Sequence, residues 1–237
     1  MNPDGAMTPT GPTPLQVTIR RQDVLHFLGY PEGREPAGPI ERRLDAVLAE
    51  ARSLADGRGV FCHLPADAAS ALGLEAIAAE QLVTGLVTVG GGIETRATAL
   101  LSEGDSVGAL LLDAAGSAAV EEAADRLGAV IAGDPGDDSA GDTTEPDEDA
   151  PALSCRISPG YGRWKLESQS ALFATLPHRE LGVTLLPSLL MTPRKSISFA
   201  MWLGADARPV AGLSGCDRCL LTTCRYRKGG PTGGPDS

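Results

Sequence analysis

The chain of 237 residues has few aromatic side chains and no long apolar run, and each shortage excludes a class of protein. It contains only four Phe, two Trp and three Tyr, too few for a surface on which nucleic-acid bases stack. Its longest apolar stretch, around Val107–Leu112, is far shorter than the roughly 20 residues that a membrane-spanning helix needs. The start has no basic segment followed by an apolar one, as a secretory signal would have. We therefore expect a cytoplasmic protein that binds neither nucleic acid nor membrane.

The net charge of −11 comes largely from one segment. Residues 133–152 contain eight acidic residues and no Lys or Arg. With this segment and the tails 1–14 and 229–237 set aside, the remaining chain carries a net charge of −1, so it offers no basic surface. We predict that both tails are disordered and that 133–152 is an acidic disordered linker. This linker separates an N-terminal α/β part, 15–132, from a C-terminal part, 153–228.

The spacing of apolar residues predicts helices and strands that alternate without a regular βαβ rhythm. We therefore expect an α+β fold, with a mixed, mostly antiparallel twisted sheet and flanking helices. The run at 107–112 has the length and composition of a buried strand. The predicted helices cover 22–29, 39–55, 66–81, 93–103, 114–131 and 166–176. The predicted strands cover 15–19, 60–64, 82–89, 107–112, 183–186 and 196–203.

The spacing of residues argues against several common kinds of functional site. The turn Gly90-Gly91-Gly92 lacks the third glycine of a dinucleotide-binding loop, and no glycine-rich loop ends in Gly-Lys-Ser/Thr. The three histidines lie far apart in the chain and form no His-x-x-x-His pair that would support a local metal site. No catalytic side chain is predicted.

The segment 156–162, of sequence RISPGYG, is more informative. Its Pro159-Gly160 pair predicts a tight turn, because Gly160 can take a positive φ without strain. Backbone N–H groups of such a turn can form a concavity for an anion. Arg156 offers a planar fork for a carboxylate, and Tyr161 adds a ring and a hydroxyl. Two interpretations stay open, a site for a flat zwitterionic ligand and a structural turn with a solvent-facing arginine.

The five cysteines are an odd number, unevenly placed, which is typical of thiols or metal ligands in a reducing compartment. Cys216, Cys219 and Cys224 follow a C-x2-C-x4-C pattern that can bring three thiolates to one ion. Cys155 is a candidate fourth ligand. Zinc, an iron–sulfur cluster, a redox disulfide and reduced structural thiols all remain open.

The run Arg156-x-x-Pro159-Gly160-Tyr161 resembles the S-adenosylmethionine-binding motif of the activation domain of vitamin B12 (cobalamin)-dependent methionine synthase. Residues 181–198, LGVTLLPSLLMTPRKSIS, are similar to a second block of that family. Residues 111–125 resemble a helix of its small stand-alone members, which also tend to end in a cysteine cluster followed by Tyr-Arg, as at 224–227. The resemblance covers most of residues 15–228 and implies the fold of that activation domain.

The resemblance also implies roles for individual residues. Arg156 would bind the carboxylate of S-adenosylmethionine, while Pro159, Gly160 and Tyr161 would form the turn against its nucleoside and methionine parts. Glu121 would hold its α-amino group. We therefore predict that Glu121 and Arg156, on opposite sides of the acidic linker, meet in space.

Three positions complicate this assignment. Glu122 is an alternative to Glu121 because the two are neighbours in the chain. Leu186-Pro187 stands where the family has Thr-Glu, which removes a polar pair. Met201 stands where the family has an aromatic residue, although Trp202 is adjacent.

The function that the resemblance implies is reactivation of an oxidised cobalamin by reductive methylation. The chain would be an activation subunit for a cobalamin-dependent methyltransferase, most simply methionine synthase. The cobalamin would arrive on this partner, because the chain lacks a cobalamin-ligating motif, and a donor protein would supply the electron. The chain would act by positioning, so whether it counts as an enzyme stays open. The alternatives are reactivation of another corrinoid methyltransferase and a metal-stabilised interaction module without catalysis.

Overall fold

The structure is a computed structural model that describes residues 8–31, 33–75, 79–133, 153–154 and 156–204. Three eight-residue strands, Arg58–Pro65, Gln81–Thr88 and Ser196–Leu203, form the centre of an antiparallel sheet in that order. The seven strands of the described residues are β1 (Thr8–Pro9), β2 (Thr13–Pro14), β3 (Arg58–Pro65), β4 (Gln81–Thr88), β5 (Thr184–Leu185), β6 (Met191–Thr192) and β7 (Ser196–Leu203). Among these strands every pairing is antiparallel, which confirms the predicted α+β class.

Helices cover both faces of the sheet unequally. The α-helices are α1 (Arg21–Phe27), α2 (Pro39–Leu54), α3 (Gly92–Ser102), α4 (Ser106–Ile131) and α5 (Gln169–Ala174). Short 3-10 helices cover Ala66–Leu72, Leu166–Ser168 and His178–Leu181. The helices α1 to α4 pack on one face, while α5 and the 3-10 helices pack on the other. No helix in the described ranges is long and apolar enough to cross a membrane.

Alternation along the central strands produces two cores. Because successive side chains of a strand point to opposite faces, Val83 and Val87 face α4, while Leu82 and Leu86 face the other side. The first core lies between the sheet and α1 to α4, and the second lies beneath α5. Both are largely closed to solvent.

The longest helix corrects the prediction of a strand at 107–112. This run is instead the first part of α4, which continues without a break to Ile131. The carboxylate of Asp105 caps the helix, accepting a hydrogen bond of 3.0 Å from the backbone N–H of Gly108. A short apolar run has no period that separates a buried strand from a buried helix, and here the cap and the following alanines favour the helix.

Three other predictions are also wrong in part. The helix predicted at 66–81 is only the 3-10 helix Ala66–Leu72, which ends at Gly73 with a left-handed φ of 72°. No regular strand forms at 15–19, although Leu15 and Ile19 are buried. Residues 8–14, predicted to lie in a disordered tail, include two short strands that pair with β3. Thr8 pairs with His63 and Thr13 with Gly59, so the edge of β3 orders this segment.

Candidate functional site

Arg156 is positioned by the edge of the sheet. The next residue, Ile157, pairs with Ala200 of β7 through two backbone hydrogen bonds, of 3.0 Å from the Ile157 N–H and 2.8 Å from the Ala200 N–H. The Ile157 side chain is buried in the second core. Because neighbouring side chains of an extended segment point to opposite faces, Arg156 lies on the face that α4 covers.

The Arg156 guanidinium contacts two carboxylates of α4. Its Nη2 lies 3.2 Å from Oε2 of Glu121 and 2.6 Å from Oδ1 of Asp125. These acids are four residues apart, so they are neighbours on one face of the helix. The side chains are 20% exposed for Arg156, 37% for Glu121 and 55% for Asp125, so this cluster, which we call the Arg156 clamp, opens to solvent. The predicted meeting of Glu121 and Arg156 is confirmed.

An aromatic ring supports the clamp from below. The guanidinium carbon of Arg156 lies 5.8 Å from the ring centroid of the fully buried Phe199, within range of a cation–π contact. Phe199 pairs with Gly85 in the sheet, and a Cβ added at Gly85 would overlap the Phe199 ring. Because Gly85 has no Cβ, the Phe199 ring can lie over it and remain in contact with Arg156.

The structure separates Glu121 from its neighbour Glu122. The Glu122 side chain is only 10% exposed and binds Arg20 at 3.1 Å and Arg126 at 3.2 Å. A hydrogen bond to Asp23, with the charges of Asp23 and Glu122, raises the pKa of Arg20 above its usual value. Glu122 is thus held by Arg20 and Arg126, and of the two glutamates Glu121 is the one that contacts Arg156.

The predicted turn follows Arg156 directly. Gly160 has a φ of 90°, and the Tyr161 N–H donates to the Ser158 carbonyl at 3.1 Å, as in a type II turn with proline in its second position. The Gly160 N–H donates to the Trp164 carbonyl at 2.8 Å. Both N–H groups are therefore used inside the loop, and they are not available to an anion in this structure.

The loop is anchored by a residue that the sequence analysis did not single out. Trp164 is 2% exposed, and its indole Nε1 donates to the Leu72 carbonyl at 2.7 Å. Pro159 is also buried, whereas Tyr161 is 71% exposed. The turn thus rests on the second core and presents Tyr161 at the surface.

Strand alternation determines which nearby aromatic residue lies on the same face of the sheet as Met201. Met201 faces α4 in the first core, while Trp202 is buried in the second core on the opposite face. Trp202 therefore cannot supply the aromatic that the resemblance expects at position 201. Phe199, two residues earlier, lies on the same face as Met201 and is the aromatic ring beneath Arg156. Leu186 lies beside the small β5–β6 hairpin and is 40% exposed.

A second cation, Lys195, binds the same side of helix α4. Between residues 113 and 125, every fourth side chain is at least partly exposed and all the others are buried. This α4 polar stripe consists of Asp113, Ser117, Glu121 and Asp125. Lys195 binds its first two members, with Nζ at 2.9 Å from both Asp113 Oδ1 and Ser117 Oγ, and we call this cluster the Lys195 clamp. Ser117, Glu121 and Asp125 lie within the predicted helix 114–131, so their four-residue spacing was the signal that could have revealed the stripe.

The predicted metal ligands Cys155, Cys216, Cys219 and Cys224 lie outside the described residues, so this site stays a prediction. Within the described ranges, no three His, Cys, Asp or Glu side chains are grouped as metal ligands. Cys62 is a buried thiol, and its Sγ donates to the His63 carbonyl at 3.6 Å. A separate open pocket of about 350 Å³, lined by residues such as Phe173, His178 and Arg179, contains no predicted site residue.

The geometry therefore defines an α+β domain with an arginine clamp between a long helix and a sheet edge. No protein-family model matches the chain, and no curated protein is significantly similar to it in sequence. Among solved structures, the chain is similar to a crystal structure of the MetH reactivation domain bound to AdoHcy. The two share 13% sequence identity with a TM-score of 0.56, over 90% of this chain and 83% of that one. This likeness establishes a distant relation at the level of the fold.

Proposed function

We propose that this protein binds S-adenosylmethionine at the Arg156 clamp and serves as a reactivation subunit for a cobalamin-dependent methionine synthase. The observation that carries the proposal is the contact between Arg156 and Glu121. The resemblance assigned these two residues to the two charged ends of one ligand, and 35 residues separate them in the chain. The fold adds support, because the similar reactivation domain was crystallised with AdoHcy, the demethylated form of S-adenosylmethionine.

The charges of the clamp suit an amino-acid ligand. The methionine part of S-adenosylmethionine carries a carboxylate and an ammonium on one carbon, so its binding site needs both signs within a few ångströms. Arg156 and Glu121 provide a guanidinium and a carboxylate 3.2 Å apart, and both are partly open to solvent. Such complementarity orients a zwitterion as well as holding it. Glu122 cannot replace Glu121, because two arginines already bind it.

In this proposal the protein acts by holding its ligand in place. Arg156, fixed on the Phe199 ring, binds the ligand carboxylate, while Glu121 binds the ammonium. Tyr161 is exposed on the turn that follows Arg156 and would pack against the nucleoside. S-adenosylmethionine would supply the methyl group and leave as S-adenosylhomocysteine, and the partner's cobalamin, reduced by one electron from a donor protein, would accept the methyl group. Because the reacting groups belong to the ligand and the partner, the residues of this chain contribute orientation rather than proton transfer.

Calorimetry on the full chain tests the binding step. We expect wild-type protein to bind S-adenosylmethionine, and Arg156→Gln to bind about tenfold more weakly or worse, because a charge-assisted hydrogen bond contributes about 1.5–3 kcal/mol. Arg21→Gln is the matched control, because Arg21 also bridges two acids, Glu35 and Asp45, but lies on α1. Absence of binding by the wild type would overturn the proposal.

A reactivation assay tests the partner. Oxidised cobalamin-dependent methionine synthase should regain turnover when this protein, S-adenosylmethionine and a reductant are added together, and Arg156→Gln should abolish the recovery. If the protein binds the ligand yet does not restore that enzyme, methionine synthase is not its partner and that part of the proposal fails.

A further inference from the structure

Both contacts of the Arg156 clamp use a single nitrogen of the guanidinium. Nη2 lies 3.2 Å from Glu121 and 2.6 Å from Asp125. Among the residues that the structure describes, Nε and Nη1 of Arg156 form no hydrogen bond. The two acids are thus concentrated on one corner of the guanidinium.

The use of Nη2 by the two acids limits how a ligand carboxylate can bind Arg156. A carboxylate held by an arginine fork receives two parallel N–H groups, either from Nε and Nη2 or from Nη1 and Nη2. Nη2 takes part in both edges. It lies on the same side of the guanidinium as the Nε–H, and it is also the neighbour of Nη1. A two-point contact with an incoming carboxylate therefore requires an N–H of Nη2 that Glu121 or Asp125 already receives.

We infer that Asp125 is an internal competitor for the ligand carboxylate: it holds Nη2 when the ligand is absent and is displaced when the ligand binds. This inference rests on the proposed function, which leaves Glu121 in place as the partner of the ligand ammonium. Asp125 is the more exposed of the two acids, at 55% against 37%, so its carboxylate returns to water at little cost. The contact of the guanidinium with the Phe199 ring does not involve Asp125, so it remains when Asp125 is displaced.

The competitor lowers ligand affinity by the stability of the ion pair that must break. Exposed ion pairs contribute up to about 1 kcal/mol, which corresponds to at most about fivefold in affinity. Asp125 thereby acts as a specificity-determining residue, because only ligands with a carboxylate have to displace it.

The experiment compares Asp125→Asn with wild type in calorimetry, using S-adenosylhomocysteine as the ligand. This ligand has the carboxylate and the ammonium but no sulfonium, so losing the attraction between a carboxylate and a sulfonium does not mask the effect. We expect Asp125→Asn to bind it about two- to fivefold more tightly. The same nucleoside thioether without its carboxylate should bind both proteins equally. Asp45→Asn, which removes an exposed acid paired with Arg21, is the control and should change neither affinity.

The outcomes separate this inference from the proposed function. If the wild type binds S-adenosylhomocysteine and Asp125→Asn binds it equally or more weakly, Asp125 is not a competitor, while the proposed function stands. An equal gain for the ligand without a carboxylate overturns the inference in the same way. If the wild type binds neither S-adenosylmethionine nor S-adenosylhomocysteine, both ideas fail. Asp125→Ser provides a second variant, and its affinity should change in the same direction.

Discussion

The Lys195 clamp and the Arg156 clamp lie on one stripe of α4, but they differ in how their cations are held. Lys195 is 11% exposed at its side chain, and its backbone is bound on both sides, with its N–H donating to Glu94 at 2.9 Å and its carbonyl accepting from Val89 at 3.1 Å. Its stem lies over Gly116, where a Cβ would come within 3.0 Å of Cε. This clamp ties α4 to the start of β7.

Arg156 has fewer attachments, as the proposed binding role requires. It contacts α4 through one nitrogen, and its acidic partners are 37% and 55% exposed. A cation fixed through its backbone and buried stem contributes to stability, whereas a cation with unused donors at an open edge can exchange partners. The two clamps therefore differ both in the cation itself and in how firmly the backbone and stem hold it.

The largest effect should come from Gly85→Ala, which disturbs the core beneath the Arg156 clamp and leaves the Lys195 clamp untouched. The new Cβ would overlap the Phe199 ring and push it toward Arg156. We expect a loss of about 2–3 kcal/mol in the free energy of unfolding, as for overpacked cores, together with weaker binding of S-adenosylmethionine. Denaturant unfolding and calorimetry measure the two effects.

Gly128→Ala is the matched control for that substitution. A Cβ at Gly128 finds only Met201 Cε, at 4.0 Å, so the change should stabilise α4 by up to about 1 kcal/mol. If Gly85→Ala were as stable as wild type, the stack of Gly85, Phe199 and Arg156 would not be the support described above.

Lys195→Ala should lower the stability of the fold without changing its affinity for the ligand. Removing the ammonium breaks its contacts with Asp113 and Ser117 and empties the space over Gly116. We expect a loss of about 2 kcal/mol in the free energy of unfolding and unchanged affinity for S-adenosylmethionine. A large drop in affinity would show that the two clamps are not independent.

Arg156→Gln should have the opposite pattern, with a small loss of stability and a large loss of ligand affinity. Its ion pairs are partly exposed, so the free energy of unfolding should fall by about 1 kcal/mol or less. The affinity for S-adenosylmethionine should fall far more, as proposed above. Thermal unfolding beside calorimetry provides both numbers, and a stability loss as large as that of Lys195→Ala would contradict the comparison.

A smaller, pH-dependent effect concerns the helix that carries both clamps. The hydrogen bond from the Gly108 N–H, aided by the Arg43 charge, lowers the pKa of Asp105 below its ordinary value. The stability that Asp105 adds is therefore complete above its unfolded-state pKa, about 3.9, and is lost as the pH falls through the lower pKa of the folded protein.

The test compares the unfolding free energy of wild type and Asp105→Asn between pH 6 and pH 3. The wild type should lose more stability over this range, because asparagine keeps an acceptor but has no charge to titrate. Equal slopes would exclude a role for the Asp105 charge. Asp45→Asn serves as a control for acids on the exposed surface.

The sequence predicted best where the pattern was long and periodic. The amphipathic helix at 39–55 appears as Pro39–Leu54, and the alternating strand at 196–203 has the predicted bounds. It failed at 107–112, where a short apolar run has no period, and at 66–81, where alanine content concealed the stop at Gly73. Of the site, the turn at Gly160 and the meeting of Arg156 with Glu121 were predicted. Asp125, Phe199 and Gly85 were missed, because their roles exist only between elements.

By itself the sequence determined the local features: the amphipathic helix, the Pro-Gly turn and the presence of an arginine just before it. These depend on bonds and contacts within a few residues, so residue type and spacing are sufficient. Only the tertiary structure decided which glutamate faces Arg156, which aromatic ring supports it and which nitrogen the acids hold. These contacts depend on which face each strand and helix presents to its neighbours. For Arg156, that face is determined by the pairing of Ile157 with Ala200 of β7, 43 residues apart in the chain.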